Sequence, residues 1–145
     1  MVHALTETWR VSRGIVLDVR PRPGEPQVLV RDASGREWVC GSLPWSGDSP
    51  EGHPQAEAAL AQALAQGWFA VAGARQFDWV DTFATADELA ETVHEDWSRT
   101  LDEDTALKLM QAMERGGRGA VSLIRQAIGV KLLRKLPRPA QTDRP

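Results

Sequence analysis

The sequence predicts an α/β sandwich, a small and mostly antiparallel sheet with helices packed on it. Three observations predict it. Short apolar runs, rich in β-branched residues and bounded by Pro and Gly, read as strands. Other segments repeat apolar residues at helical spacing, and two of them follow capping-box signatures. The chain also has the size and balance of one ordinary domain: 145 residues, 42% hydrophobic and 26% charged. At this length roughly 70% of the unfolded surface is buried on folding, so the core needs no disulfide or metal.

Leu5 to Arg13 reads as a short helix with Leu5, Trp9 and Val11 inward, and Gly14 ends it. Ile15-Val16-Leu17-Asp18-Val19-Arg20 is nearly continuous in apolar residues, which predicts a strand buried on both faces. Pro21, Pro23 and Gly24 stop it. Val28-Leu29-Val30 and Glu37-Trp38-Val39-Cys40 flank a Ser34-Gly35 turn and read as a hairpin. Gly41 to Pro54 is a Pro- and Gly-rich loop, with Pro54 suited to the first turn of a helix. Gln55 to Gln66 is that helix, with Ala56, Leu60, Ala63 and Leu64 as its narrow apolar stripe. Trp68 to Ala74 is a strand, and Phe77 to Phe83 is a further extended segment.

Thr85-Ala86-Asp87-Glu88 is a capping box that opens a helix carrying Leu89, Val93 and Trp97. Thr100-Leu101-Asp102-Glu103 repeats the spacing, and its helix carries Ala106, Leu107, Met110 and Met113 as far as Gly116-Gly117. Residues 119–136 fit a strand period and a helix period about equally; their β-branched content favours the strand. Pro137 ends it, which leaves 137–145 as a disordered tail behind a single domain over 1–136.

The net charge of −3 conceals a split. Residues 1–107 balance to −10 and residues 108–145 to +7. The simplest account is that the bases lie beside the acids of the same fold. A basic end also makes Arg118, Arg125, Lys131, Arg134 and Lys135 candidate phosphate contacts, with nucleic acid as the weaker partner. No apolar run reaches the roughly 18 residues of a membrane span, and no membrane partner is expected. A single cysteine, Cys40, excludes an internal disulfide, and the chain is expected in the cytoplasm.

Chemical motifs are sparse. There is no Walker loop and no G-x-G-x-x-G between a strand and a helix. Gly116-Gly117-Arg118-Gly119 follows a helix, whereas phosphates bind where a helix begins. Three scattered histidines and one cysteine make no metal cluster, and no G-x-S-x-G elbow occurs. Six tryptophans are many for this length. Trp9, Trp68, Trp79 and Trp97 lie in apolar patterns and read as core; Trp45 in its loop and Trp38 on the hairpin are the candidate partner or ligand contacts.

The pattern Glu7-x-x-Arg10-Val11-x-x-Gly14-Ile15-Val16-Leu17-Asp18-Val19-Arg20-Pro21 resembles the junction that leads into the fifth strand of class I S-adenosylmethionine-dependent methyltransferases. Ser12 departs from the usual Leu, the Pro of the turn is absent, and the turn is one residue short. The order that follows is also similar to that family's C-terminal part: a helix, an extended segment ending in Phe77-Asp78-Trp79-Val80, more helix, and a terminal strand ending in Leu132-Leu133-Arg134-Lys135-Leu136. The resemblance implies a half-fold that starts after the fourth strand. It therefore lacks the glycine-rich turn and the ribose-binding acid, no cofactor residue carries over, and S-adenosylmethionine would bind only if a partner chain completed the site. A sheet cut beside its fifth strand exposes an apolar edge that something must cover. A homodimer or a partner protein is expected there. The sequence thus points to a non-catalytic, methyltransferase-like protein that acts through protein contacts. The alternative is a subunit or substrate-binding part of a split methyltransferase.

Overall fold

A computed structural model describes residues 2–44 and 52–137. Among them are four helices and five strands: α1 (Val2–Val11), β1 (Ile15–Pro21), β2 (Gln27–Arg31), β3 (Glu37–Ser42), α2 (Gly52–Ala65), β4 (Phe69–Phe83), α3 (Ala86–Glu95), α4 (Glu103–Gly116) and β5 (Val121–Lys135). The strands form one sheet in the order β1-β5-β2-β3, with β4 also paired to β5. The α/β class and the small antiparallel sheet are those the sequence predicts, and residues 121–135 take the strand. Trp45 and the segment 138–145 lie outside the described residues.

The chain divides into two compact units. The first is built from the segments 2–22, 52–77 and 128–137, and the second from 23–44 and 78–127. In the first, β1 runs antiparallel to the end of β5, from Ile15 opposite Arg134 to Pro21 opposite Ile128. Leu60 and Ala63 of α2 pack on Phe69 and Leu133, with Leu5, Trp9, Val16, Leu64 and Trp68 around them. The Trp9 indole N–H donates to the Leu136 carbonyl at 3.2 Å, and the Lys135 ammonium stands 4.9 Å from the Trp9 ring centroid. These contacts tie α1 to the end of the last strand, while Val11, expected inward, is 61% exposed.

Strand β1 departs from expectation. It is not buried on both faces but alternates, with Ile15, Leu17 and Val19 exposed and Val16, Asp18 and Arg20 half-buried. The helices α1 and α2 cover only the Val16 side. Strand β4 differs too. The two expected segments are one strand of 15 residues, because the residues between them, Arg75 and Gln76, are not turn formers. Every residue from Val71 to Val80 is exposed.

In the second unit β2 lies between β3 and β5. Val28 and Val30 of β2, Ile124 of β5 and Cys40 of β3 pack under Leu89 and Val93 of α3 and Leu109 and Ala112 of α4. The hairpin turn is held by the Asp32 carboxylate, which accepts from the Ser34 and Arg36 amides at 2.8 and 2.9 Å, while Gly35 takes a φ of 85°. Thr85 caps α3 as its box predicts: its hydroxyl accepts from the Glu88 amide at 3.1 Å. The Glu88 carboxylate in turn accepts from the Ala84 amide at 2.8 Å.

The second box does not cap α4 as expected. Asp102, not Thr100, is the N-cap, accepting from the Thr105 amide at 2.9 Å and the Thr105 hydroxyl at 2.7 Å. The buried residues of α4 are Thr105, Leu109 and Ala112, which pack on the sheet, while Leu107 and Met110, expected inward, face out at 54% and 63% exposure. Trp79, expected in the core, is also partly exposed and stacks on Trp97 with ring centroids 6.2 Å apart.

Glycine lets α4 approach β3. A Cβ on Gly41 would stand 2.1 Å from the Thr105 hydroxyl oxygen, and one on Gly116 would stand 2.8 Å from the Ala120 Cβ. Gly41→Ala is expected to destabilise the chain by about 1–3 kcal/mol through overpacking against Thr105. Urea denaturation measures it. In the same assay Asp102→Ala lowers the midpoint and Thr100→Ala leaves it in place, because only Asp102 carries the cap.

Candidate interaction surfaces

The first surface is the open side of β1. Ile15, Leu17 and Val19 are 67%, 62% and 56% exposed. Their cross-strand partners on β5 are Arg134, Leu132 and Val130, with Ile128 opposite Pro21. Cross-strand partners share a face, so these residues form one largely apolar surface. Gly73 of β4 extends it, since a Cβ there would lie 4.0 Å from that of Leu132. Among the described residues β1 has one strand neighbour, β5, so its other edge is unpaired.

The side of β1 that the helices cover carries two charges. The Asp18 carboxylate takes the Arg20 guanidinium in a bidentate pair at 2.9 and 2.6 Å. Glu57 of α2 stands 3.9 Å from Arg20 and takes the Lys131 ammonium at 3.0 Å. The covered side thus holds Val16 in the core and two charges beyond it, while Ile15, Leu17 and Val19 point to solvent. Ordinary half-buried strands put apolar side chains inward and polar ones outward. Sequence reasoning missed this surface because Ile-Val-Leu-Asp-Val-Arg looks apolar throughout. The signal it held was the period-two placement of Asp18 and Arg20, which says that the two faces differ.

The second surface is a groove between the edge strand β3 and α4. It measures about 150 Å³ and is lined by Trp38, Val39, Cys40, Lys108, Gln111, Ala112 and Arg115. Trp38, singled out from the sequence, is half-buried in it, with the Arg36 guanidinium 5.4 Å from its ring centroid. Cys40 lies inward at 3% exposure, and burial pushes its thiol pKa up, with the Lys108 charge opposing. That is the environment of an inert structural cysteine.

The five candidate phosphate contacts are divided between the two units. Arg118 and Arg125 belong to the second unit, whereas Lys131, Arg134 and Lys135 belong to the first. Three are engaged by the chain itself. Arg125 binds Glu37 at 2.6 and 2.8 Å, Lys131 binds Glu57, and Lys135 donates to the Ser12 carbonyl at 2.9 Å. Arg134 and Arg118 are exposed. The two ends of the sequence therefore interleave. Among the described residues the first unit holds eight Lys/Arg and three Asp/Glu, the second seven and fourteen, so the charge follows the units rather than the sequence halves.

No protein-family model matches the sequence, and comparison with curated proteins and with solved structures finds no match. Among the described residues no three His, Cys, Asp or Glu side chains are grouped to hold a metal ion, and no helix is long and apolar enough to cross a membrane.

Two outcomes follow from the ionisable groups. Arg125 and Arg31 hold the Glu37 carboxyl below its ordinary range. A depressed carboxyl stabilises the fold above its unfolded pKa, and that contribution is lost as pH falls through the lowered folded value. Glu37→Gln is therefore expected to flatten the acid limb of a stability-against-pH curve and to cost about 1 kcal/mol or less at neutral pH. Cys40 is expected to react with a thiol reagent much more slowly in the folded chain than in urea; equal rates would mean that β3 and α4 part readily.

Proposed function

We propose that this chain is a non-catalytic, methyltransferase-like protein that acts in the cytoplasm through protein contact at β1. One observation carries the reading: three consecutive outward positions of a strand with an unpaired edge are apolar and more than half exposed. Exposed apolar surface of this kind marks an interaction site, and an uncovered edge is otherwise an aggregation hazard. The placement of the charges supports the reading further. Placing Asp18 and Arg20 under the helix costs desolvation, so the apolar residues on the other side have their use outside this fold.

The element order supports the likeness on which the name rests. After the junction at 7–21 comes the hairpin β2–β3, and then a helix (α2), the strand that holds Phe77-Asp78-Trp79-Val80 (β4), two helices and a terminal strand (β5). The hairpin is an addition to the order the resemblance implies; the elements after it follow that order. The strand it places at the cut, β1, is the one with the unpaired edge.

Two measurements test the proposal. Calorimetric titration with S-adenosylmethionine is expected to give no heat; micromolar binding would overturn the non-catalytic reading. A photoreactive residue in place of Val19, introduced in the cells of origin, is expected to give a covalent adduct with protein. A chain that stays free of protein adducts would overturn the contact reading.

A further inference from the structure

The edge of β1 has a definite hydrogen-bonding pattern. The Lys135 amide donates to the Gly14 carbonyl at 2.7 Å, and the register continues with Ile15 opposite Arg134. In an antiparallel pair the bonded residues alternate. Gly14, Val16, Asp18 and Arg20 therefore turn their backbone groups toward β5. Ile15, Leu17 and Val19 turn theirs to the open edge, and their side chains are the exposed apolar ones. The next outward position is Pro21, which has no N–H and ends the set. The open edge thus offers three donors and three acceptors, centred on Leu17.

We infer that β1 pairs with β1 of a second copy, antiparallel, about a two-fold axis at Leu17. This rests on the contact reading above and names its partner. An axis perpendicular to the sheet keeps each residue on its own face. It sets Leu17 opposite Leu17 of the other copy and Ile15 opposite Val19, and all three outward residues are then fully bonded on both strands. The apolar side chains of the two copies lie side by side, each gaining a neighbour on its open flank. Charge selects this register over the next. Moving the axis to Asp18 would oppose two carboxylates and would set Pro21 against Ile15, leaving the Ile15 carbonyl without a donor. With the axis at Leu17, Asp18 faces Val16 and Arg20 faces Gly14. The interface is isologous and closes at two chains.

The full chain is expected to have twice its 16.0 kDa mass by sedimentation equilibrium or light scattering. Leu17→Pro is the decisive variant. It removes an N–H that points away from β5, so the fold keeps its ladder; the expected result is a halved mass with an unchanged far-ultraviolet dichroism spectrum. Cysteine crosslinking reads the register. Across the axis two copies of residue 17 have Cα atoms about 5.5 Å apart, within disulfide range. Two copies of residue 15 lie about 14 Å apart. Leu17→Cys is expected to form a covalent dimer and Ile15→Cys is not, with Cys40 retained and the unsubstituted chain as control. A monomeric chain, a Leu17→Pro dimer, or crosslinking at Ile15→Cys and not at Leu17→Cys would each overturn the two-fold at Leu17. A monomer whose Val19 photo-adduct carries a different protein would overturn self-pairing and leave the contact reading standing. A monomer without any adduct would overturn both.

Discussion

The sheet is held together by its last strand. β1, β2 and β4 all take β5 as a neighbour, while β1 and β2 are not paired with each other. β5 begins at Val121, after every other element has been made. Its pairing with β1 joins residues about as far apart as the chain allows, Ile15 with Arg134. Such contacts repay the entropy of loop closure only when they form together. The anchoring of α1 depends on the same event, because Trp9 and Lys135 meet at the end of β5. Without its pairing to β5, β1 would have no strand neighbour among the described residues.

With β5 paired, one edge of β1 remains unpaired among the described residues. The charged quartet of Asp18, Arg20, Glu57 and Lys131 occupies the covered side of the strand. Four ionisable groups there are partly desolvated and matched in sign, two acids to two bases. Through Glu57 the quartet links α2 to Arg20 of β1 and Lys131 of β5. It also leaves the apolar half of β1 pointing outward. The same arrangement that links the helix to the strands therefore prepares the surface on which the proposed contact depends.

The second unit uses a different device. Its helix α4 comes close to β3 because Gly41 carries no side chain where Thr105 sits, and Thr105 is in turn held by Asp102. One carboxylate thus caps the helix and orients the hydroxyl that fills the space above a glycine. The groove beside Trp38 and Cys40 lies along the same pair of elements. The bases Arg31 and Arg125 converge on Glu37, so charges that are distant in sequence cancel locally.

Local chemistry was legible in the sequence. The class of fold, the hairpin around Ser34-Gly35, the Thr85 cap and the strand at 121–135 follow from β-branched content, turn residues and side-chain oxygens that act within a few residues of themselves. Which of two neighbouring oxygens would cap α4 was not legible, since Thr100 and Asp102 both have the chemistry. The packing of Thr105 over Gly41 goes with Asp102. Nor did alternation reveal which side of β1 would meet helices. A period of two says that the sides differ; only the placement of Glu57 and Lys131 beside Asp18 and Arg20 says which one is covered. The basic residues near the C-terminus read as a cluster because they are close in sequence, yet tertiary structure deals them to two units and pairs two of them, Arg125 and Lys131, with acids more than seventy residues away. Sequence by itself determined the class of fold, the hairpin and the Thr85 cap. Tertiary structure decided which apolar residues are core and which are surface, because burial depends on what packs against a side chain and not on the side chain alone.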